Sequence, residues 1–106
     1  MQRHKLKNMT GGWFIGNFDP CALQTKDFEV CYKTHKKGEQ WPRHVHKIAA
    51  EITLLVRGQM MMNDKLIRPG DIITVEPGES IKPTFITDCE LIVVKTPSVP
   101  GDKYEV

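Results

Sequence analysis

His44 and His46 lie two residues apart in the run Arg43-His44-Val45-His46. On an extended strand that spacing sends both imidazoles to one face and Val45 to the other, so the pair can share one ligand. Glu51 follows His46 by five residues and would point the opposite way if the strand simply ran on. A reversal within residues 47–50 is therefore needed. With it, Glu51 opens the next strand and completes a set of two nitrogens and one oxygen. Neutral imidazoles and a carboxylate in that arrangement suit a divalent first-row ion, Fe, Mn, Ni or Zn, and leave positions open for substrate.

The elements that must hold these side chains read as strands. From Trp13 to Thr96 the chain consists of short β-rich runs broken by turn signals, and no segment shows a sustained helical period with good caps. Residues 41–46, 51–56, 59–62, 71–75, 80–86 and 89–95 form extended runs. Gly38, Gly58, Asn63-Asp64, Pro69-Gly70, Pro77-Gly78 and Thr87-Asp88 punctuate them. This is an all-β pattern, a sandwich, jelly roll or barrel in which closing or doubling the sheet protects its edges. In residues 28–35, Phe28, Val30, Tyr32 and Thr34 alternate with Glu29, Cys31, Lys33 and His35, and the apolar half is expected to face the core. Residues 1–12 and 97–106 read as peripheral, which leaves one domain over residues 1–106 with its core at about 13–96.

The window around the histidines has a longer pattern. Gly38, His44, His46, Glu51 and Gly58 satisfy Gly-x5-His-x-His-x4-Glu-x6-Gly, which resembles the first motif of the cupin superfamily at every defined position. A second motif, Gly-x5-Pro-x-Gly-x2-His-x3-Asn, is similar to the stretch from Gly70 through Pro77 and Gly78 to Ile81 and Phe85. Both glycines are in place there. The proline falls one position late, Phe85 stands where asparagine is expected, and Ile81 occupies the place of the third metal-binding histidine. The segments Gly12 to Phe18 and Val94 to Tyr104 look like the ends of short stand-alone bacterial-type cupins, some of which accompany carbohydrate or nucleotide-sugar enzymes.

The resemblance implies a cupin double-stranded β-helix, a jelly-roll barrel with an internal pocket, and a frequent habit of dimerising through an added sheet. It also implies a metal site reduced to His44, His46 and Glu51. His35 is the one nearby candidate to replace the missing imidazole, although the alternation places it on the polar face. Trp41, just before the His-x-His run, is expected near the pocket mouth. Trp13, Phe14, Tyr32 and Phe85 are expected mainly in the core. Met60, Met61 and Met62 form an apolar run that alternation cannot bury on one face, so either both faces are covered or part of the run meets a second subunit, consistent with a homodimer.

Composition narrows the alternatives. Fifteen basic against 13 acidic residues give a net charge of +2, too little for a nucleic-acid footprint. Lys33, Lys36, Lys37, Arg43 and Lys47 read as solvated surface, with a rim that attracts an anionic small molecule as the alternative. Lys82 reads as solvated too, with Arg43 and Lys82 pairing to an anionic substrate as the lesser reading, and Glu76 and Glu79 read as solvated. The first residues lack a signal-peptide core and no apolar run reaches membrane-spanning length, so a cytoplasmic protein without membrane contact is expected. Cys21, Cys31 and Cys89 form no Cys-x-x-Cys pair and are expected reduced. No Ser-His-Asp order, Walker loop or dinucleotide glycine pattern occurs. The functional expectation is a small-molecule-binding cupin with a divalent-metal site and isomerase or oxygenase activity on a small oxygenated substrate, carbohydrate-related in one version. The alternative is a metal-free sensor or accessory protein whose His44, His46 and Glu51 form a hydrogen-bonded polar cluster.

Overall fold

The computed structural model describes residues 1–106. Its strands are β1 (Trp13–Gly16), β2 (Leu23–Gln24), β3 (Glu29–His35), β4 (His44–Val45), β5 (Ala50–Arg57), β6 (Met60–Met62), β7 (Lys65–Ile67), β8 (Ile72–Val75), β9 (Ser80–Ile81), β10 (Pro83–Phe85), β11 (Cys89–Thr96) and β12 (Tyr104–Glu105). Two single turns of 3-10 helix, Leu6–Asn8 and Thr10–Gly12, precede them and bury no residue. No helix is long and apolar enough to cross a membrane.

Six strands form one sheet in the order β2-β1-β3-β11-β5-β8, and two three-stranded sheets, β10-β6-β7 and β12-β4-β9, make the opposing wall. The expected jelly-roll barrel is thus present. Its core is a cluster in which Cys31, Leu55 and Leu91 from the large sheet meet Met60, Phe85 and Ile81 from the small ones. Met60 and Met62 point into this core while Met61, between them, is half-buried. The methionine run therefore obeys strand alternation, with Met60 and Met62 packed in the core and Met61 left partly uncovered on the other face.

Two other expectations are corrected by the strands themselves. In β3 the period of two is right but the phase is reversed: Glu29 and Cys31 are buried and Lys33 and His35 line the cavity, whereas Phe28 is 36% exposed. The inner surface of a barrel that holds a pocket is not uniformly apolar, so polarity misreports which way such a strand faces. The run 80–86 is two strands rather than one. It breaks at Lys82, where β9 pairs with β4 and β10 with β6. Asn63 bridges the break, its Oδ1 accepting from the Lys82 N–H at 2.9 Å and its Nδ2 donating to the Ser80 carbonyl at 2.9 Å. Asn63 and Asp64 both have positive φ, 50° and 65°, as the two-residue hairpin turn between β6 and β7 requires.

Gly58, the closing glycine of the first motif, has a steric reason to be there. Its φ is +98°, and a Cβ would lie 2.3 Å from the Asp88 carbonyl oxygen and 2.7 Å from the Cys89 Sγ. Gly58→Ala combines left-handed strain with a backbone clash. It is expected to lower stability by about 2 kcal/mol, read in thermal denaturation as a fall of roughly 10 °C in Tm.

Candidate functional site

The reversal after His46 is built by a residue from the far end of the chain. Asp102 is buried, and its Oδ1 accepts from the Lys47 N–H at 3.0 Å while Oδ2 accepts from Ile48 at 3.0 Å and Ala49 at 2.9 Å. Three consecutive amides thereby wrap one carboxylate, as in an anion-binding nest. Burial alone would raise the Asp102 pKa, but these three N–H groups outweigh it and hold the group below its ordinary range. Ala50 then starts β5, and Glu51 turns inward. The C-terminal segment is therefore structural rather than peripheral. It adds β12 to β4, and Ser98 donates to the buried Glu29 carboxylate at 2.8 Å.

The turn brings together the three residues expected from spacing. One ligand atom from each of His44, His46 and Glu51 lies within 4.8 Å of the other two, and all three residues are buried. Both imidazoles are anchored through Nδ1. His44 Nδ1 donates to the Pro42 carbonyl at 3.1 Å and His46 Nδ1 to the Asp102 carbonyl at 2.5 Å. A carbonyl can only accept, so Nδ1 carries a proton, and in the neutral ring Nε2 keeps its lone pair.

The consequence is an unbalanced centre. His46 Nε2 faces Glu51 Oε2 at 2.9 Å, and while the His46 ring is neutral with its proton on Nδ1 the buried Oε2 has no hydrogen-bond donor. Its companion Oε1 has only the Thr53 hydroxyl at 3.4 Å. Burial opposes the charge on Glu51, but His46 and the ammonium of Lys95 overcome it and leave its pKa lowered. Lys95 is the cross-strand partner of Glu51 in the β5–β11 ladder. Burial, assisted by the charge of Lys103 and the neighbouring His46, also holds His44 below the usual imidazole range, which favours the neutral ring a metal needs. Two lone pairs and an unsatisfied carboxylate oxygen pointing at one another need a cation or a proton between them, and the donor set fits a divalent ion.

Ile81 lies directly opposite His44 in the β4–β9 ladder and is buried in the pocket wall. It supplies no fourth donor. His35 does not substitute: it lines the same cavity, but its ring stacks on Phe85 with centroids 4.0 Å apart and its Nδ1 is engaged by Glu39. Glu39 also accepts from the Trp41 indole at 2.7 Å. Trp41 is at the cavity as expected, and Trp13 and Phe85 line it too, whereas Phe14 and Tyr32 do not. Arg43 and Lys82 are exposed and outside the cavity.

The cavity has a volume of about 310 Å³ and opens to solvent. Cys31 lies in its wall with no exposed surface, and burial raises its thiol pKa to about 11, so the sulfur is protonated and unreactive at neutral pH. The three cysteines are free thiols. Sequence reasoning missed Asp102, which contacts amides more than fifty positions away. It also missed the three cavity lysines, Lys33, Lys95 and Lys103.

No protein-family model matches the chain, and no curated protein matches its sequence. Solved structures do resemble it. A conserved protein with a double-stranded β-helix domain from Klebsiella pneumoniae aligns at TM-score 0.70 and 19% identity, over 77% of this chain and 72% of that one. KdgF from Halomonas sp. aligns at TM-score 0.65 and 17% identity, over 72% of this chain and 74% of that one. Oxalate decarboxylase from Bacillus subtilis aligns at TM-score 0.68 and 14% identity, over 76% of this chain but 24% of the enzyme. The chain has the double-stranded β-helix fold of the cupins.

Proposed function

We propose that this chain is a small-molecule-binding cupin that holds one divalent first-row ion through His44 Nε2, His46 Nε2 and Glu51. The observation that carries the reading is the convergence of three buried ligand atoms, with Glu51 Oε2 2.9 Å from an imidazole Nε2 whose Nδ1 is already committed to a carbonyl, so that Oε2 has no hydrogen-bond donor while the ring is neutral. A buried carboxylate oxygen left in that state costs free energy, and a bound cation removes the cost. When bound, such an ion supplies Lewis acidity or oxygen activation, which suits isomerisation or oxidation of a small oxygenated substrate. Oxalate decarboxylase is an enzyme on the same fold, although fold alone does not assign a reaction.

The residues around the ion have separate tasks in this reading. His46 is oriented by Asp102 and His44 by Pro42, so both nitrogens are aimed before metal arrives. Ile81, with no donor atom, leaves coordination positions free for substrate and keeps that side of the pocket dry. The alternative, a metal-free sensor, replaces the ion with a proton, making an imidazolium–carboxylate pair of His46 and Glu51. The absent third histidine favours that alternative.

Calorimetric titration of chelator-treated protein with Mn(II), Ni(II), Zn(II) and, without oxygen, Fe(II) separates the two. One ion per chain with loss of binding in His44→Ala is expected. Wild-type protein that binds none of the four would overturn the metal reading.

A homodimer is part of the same proposal, but its support lies away from the methionines. Tyr32, Ile92, Leu54 and Ile72 are successive cross-strand partners over β3, β11, β5 and β8, and Ile72 is 64% exposed. A partly exposed apolar row of this kind can pair with its own copy about a two-fold axis. Light scattering is expected to return twice the 12.1 kDa chain mass, and Ile72→Lys to halve it; a monomeric wild type would remove the dimer.

A further inference from the structure

The cavity carries a charge imbalance that a metal site does not explain. Lys33 on β3 and Lys95 on β11 project inward, two residues beyond the core positions Cys31 and Val93. Lysine on the inner face of a sheet is unusual, because its ammonium gives up hydration there. Both ammoniums sit over the ring of Trp13, 5.8 Å and 5.0 Å from its centroid. From the other side, Lys103 places its ammonium 4.2 Å from the centroid of Trp41. None of the three forms an ion pair with a carboxylate; the close side-chain nitrogen–carboxylate contacts in the chain are those of His35 with Glu39 and His46 with Glu51.

The cavity wall therefore presents three ammoniums against one carboxylate, Glu51. A divalent ion on the trio would make the interior still more positive. Like charges gathered this way repel one another and oppose folding, and an anion relieves the repulsion. Lys103 is exposed as a residue although it lines the cavity, and partial burial of its ammonium, followed by the charges of Lys95 and Lys33, lowers its pKa. Two tryptophan faces add apolar walls that a purely inorganic ion would not use. The volume, about 310 Å³, lies at the small end of ligand pockets.

We propose that the pocket takes a small organic acid, its carboxylate held by Lys33, Lys95 and Lys103 between Trp13 and Trp41, with its oxygen functions directed toward His44, His46 and Glu51. This inference rests on the small-molecule-binding reading above and names its ligand class. A neutral sugar or an amine is excluded as the preferred ligand, the first because it leaves three ammoniums uncompensated and the second because it adds to them.

The only two tryptophans in the chain are Trp13 and Trp41, and both line the cavity, so intrinsic fluorescence reports occupancy of this site directly. Chelator-treated protein is titrated with malonate, succinate and tartrate and, in parallel, with their neutral diamides. At least one acid is expected to give a saturable change that added NaCl weakens, with no response to its diamide. Lys33→Gln, Lys95→Gln and Lys103→Gln are each expected to weaken binding about tenfold, with circular dichroism confirming that each variant is folded.

Equal binding of acid and diamide, unchanged affinity in all three lysine variants, or no saturable response to any acid would each overturn the proposal. The chelator-treated protein and His44→Ala keep the two readings apart. Acid binding that persists when no metal binds supports the anion site and removes the metal centre. Metal binding without acid preference does the reverse.

Discussion

Asp102→Ala is expected to lower stability by about 3 kcal/mol, close to 1 kcal/mol for each of three amides left without an acceptor, and to drop Tm by roughly 15 °C. The loss is concentrated in the turn that joins the His-x-His strand to Glu51, because the Lys47, Ile48 and Ala49 amides all end on this one carboxylate. His46 also relies on the Asp102 main-chain carbonyl, whose position depends on the same carboxylate staying docked. Metal affinity is therefore expected to fall by about 10–100-fold even in the folded fraction. Asp102→Asn, which keeps one acceptor oxygen, should fall between wild type and alanine.

The pH dependence of that difference has a definite sign. The fold holds Asp102 below its ordinary pKa, so its contribution is fully present above the unfolded-state value and lost as pH falls through the folded one. The Tm gap between wild type and Asp102→Ala is expected to be widest near neutrality and to close in acid. A gap that widened on acidification would contradict the assignment.

Glu51→Gln is expected to weaken divalent-metal binding more than about 100-fold, beyond the loss produced by removing a supporting partner alone, while leaving stability unchanged or slightly raised. With Nδ1 of His46 committed to Asp102, the lone pair on Nε2 can accept from the new amide at the position now held by Oε2. The unsatisfied oxygen disappears with the charge. If His46 were an imidazolium paired with Glu51, the same substitution would strand a buried charge and cost about 3–5 kcal/mol. Chemical denaturation of Glu51→Gln thus distinguishes the metal centre from the metal-free polar cluster without any assay of activity.

The site was legible where its chemistry is local in sequence. His44 and His46 needed only the two-residue period of a strand, and Glu51 needed one reversal, which the fixed gaps of the motif implied. The glycines and the Asn63-Asp64 pair marked turns because positive φ restricts residue choice. Ile81, read as the position of a missing imidazole, does lie opposite His44.

What could not be read was set by contacts across the barrel. Asp102 follows a glycine in a proline-bearing tail and carries no local sign that three distant amides will converge on it. Lys33 sat among lysines that do remain exposed, Lys36 and Lys37, and its inward direction followed only from the reversed phase of β3. That phase was misread because the inner face carries a buried Glu29 and, at the cavity, Lys33 and His35, where the polarity rule expects apolar residues. Glu39 likewise acquires its role from two aromatic partners, His35 and Trp41, that only the folded chain places beside it.

The metal centre is tested most directly by anomalous diffraction from crystals of chelator-treated protein soaked in Zn(II), with data on both sides of the zinc edge. A single strong peak is expected within bonding reach of Nε2 of His44, Nε2 of His46 and a carboxylate oxygen of Glu51. Zinc found only at surface side chains, with His46 still closed onto Glu51, would contradict it.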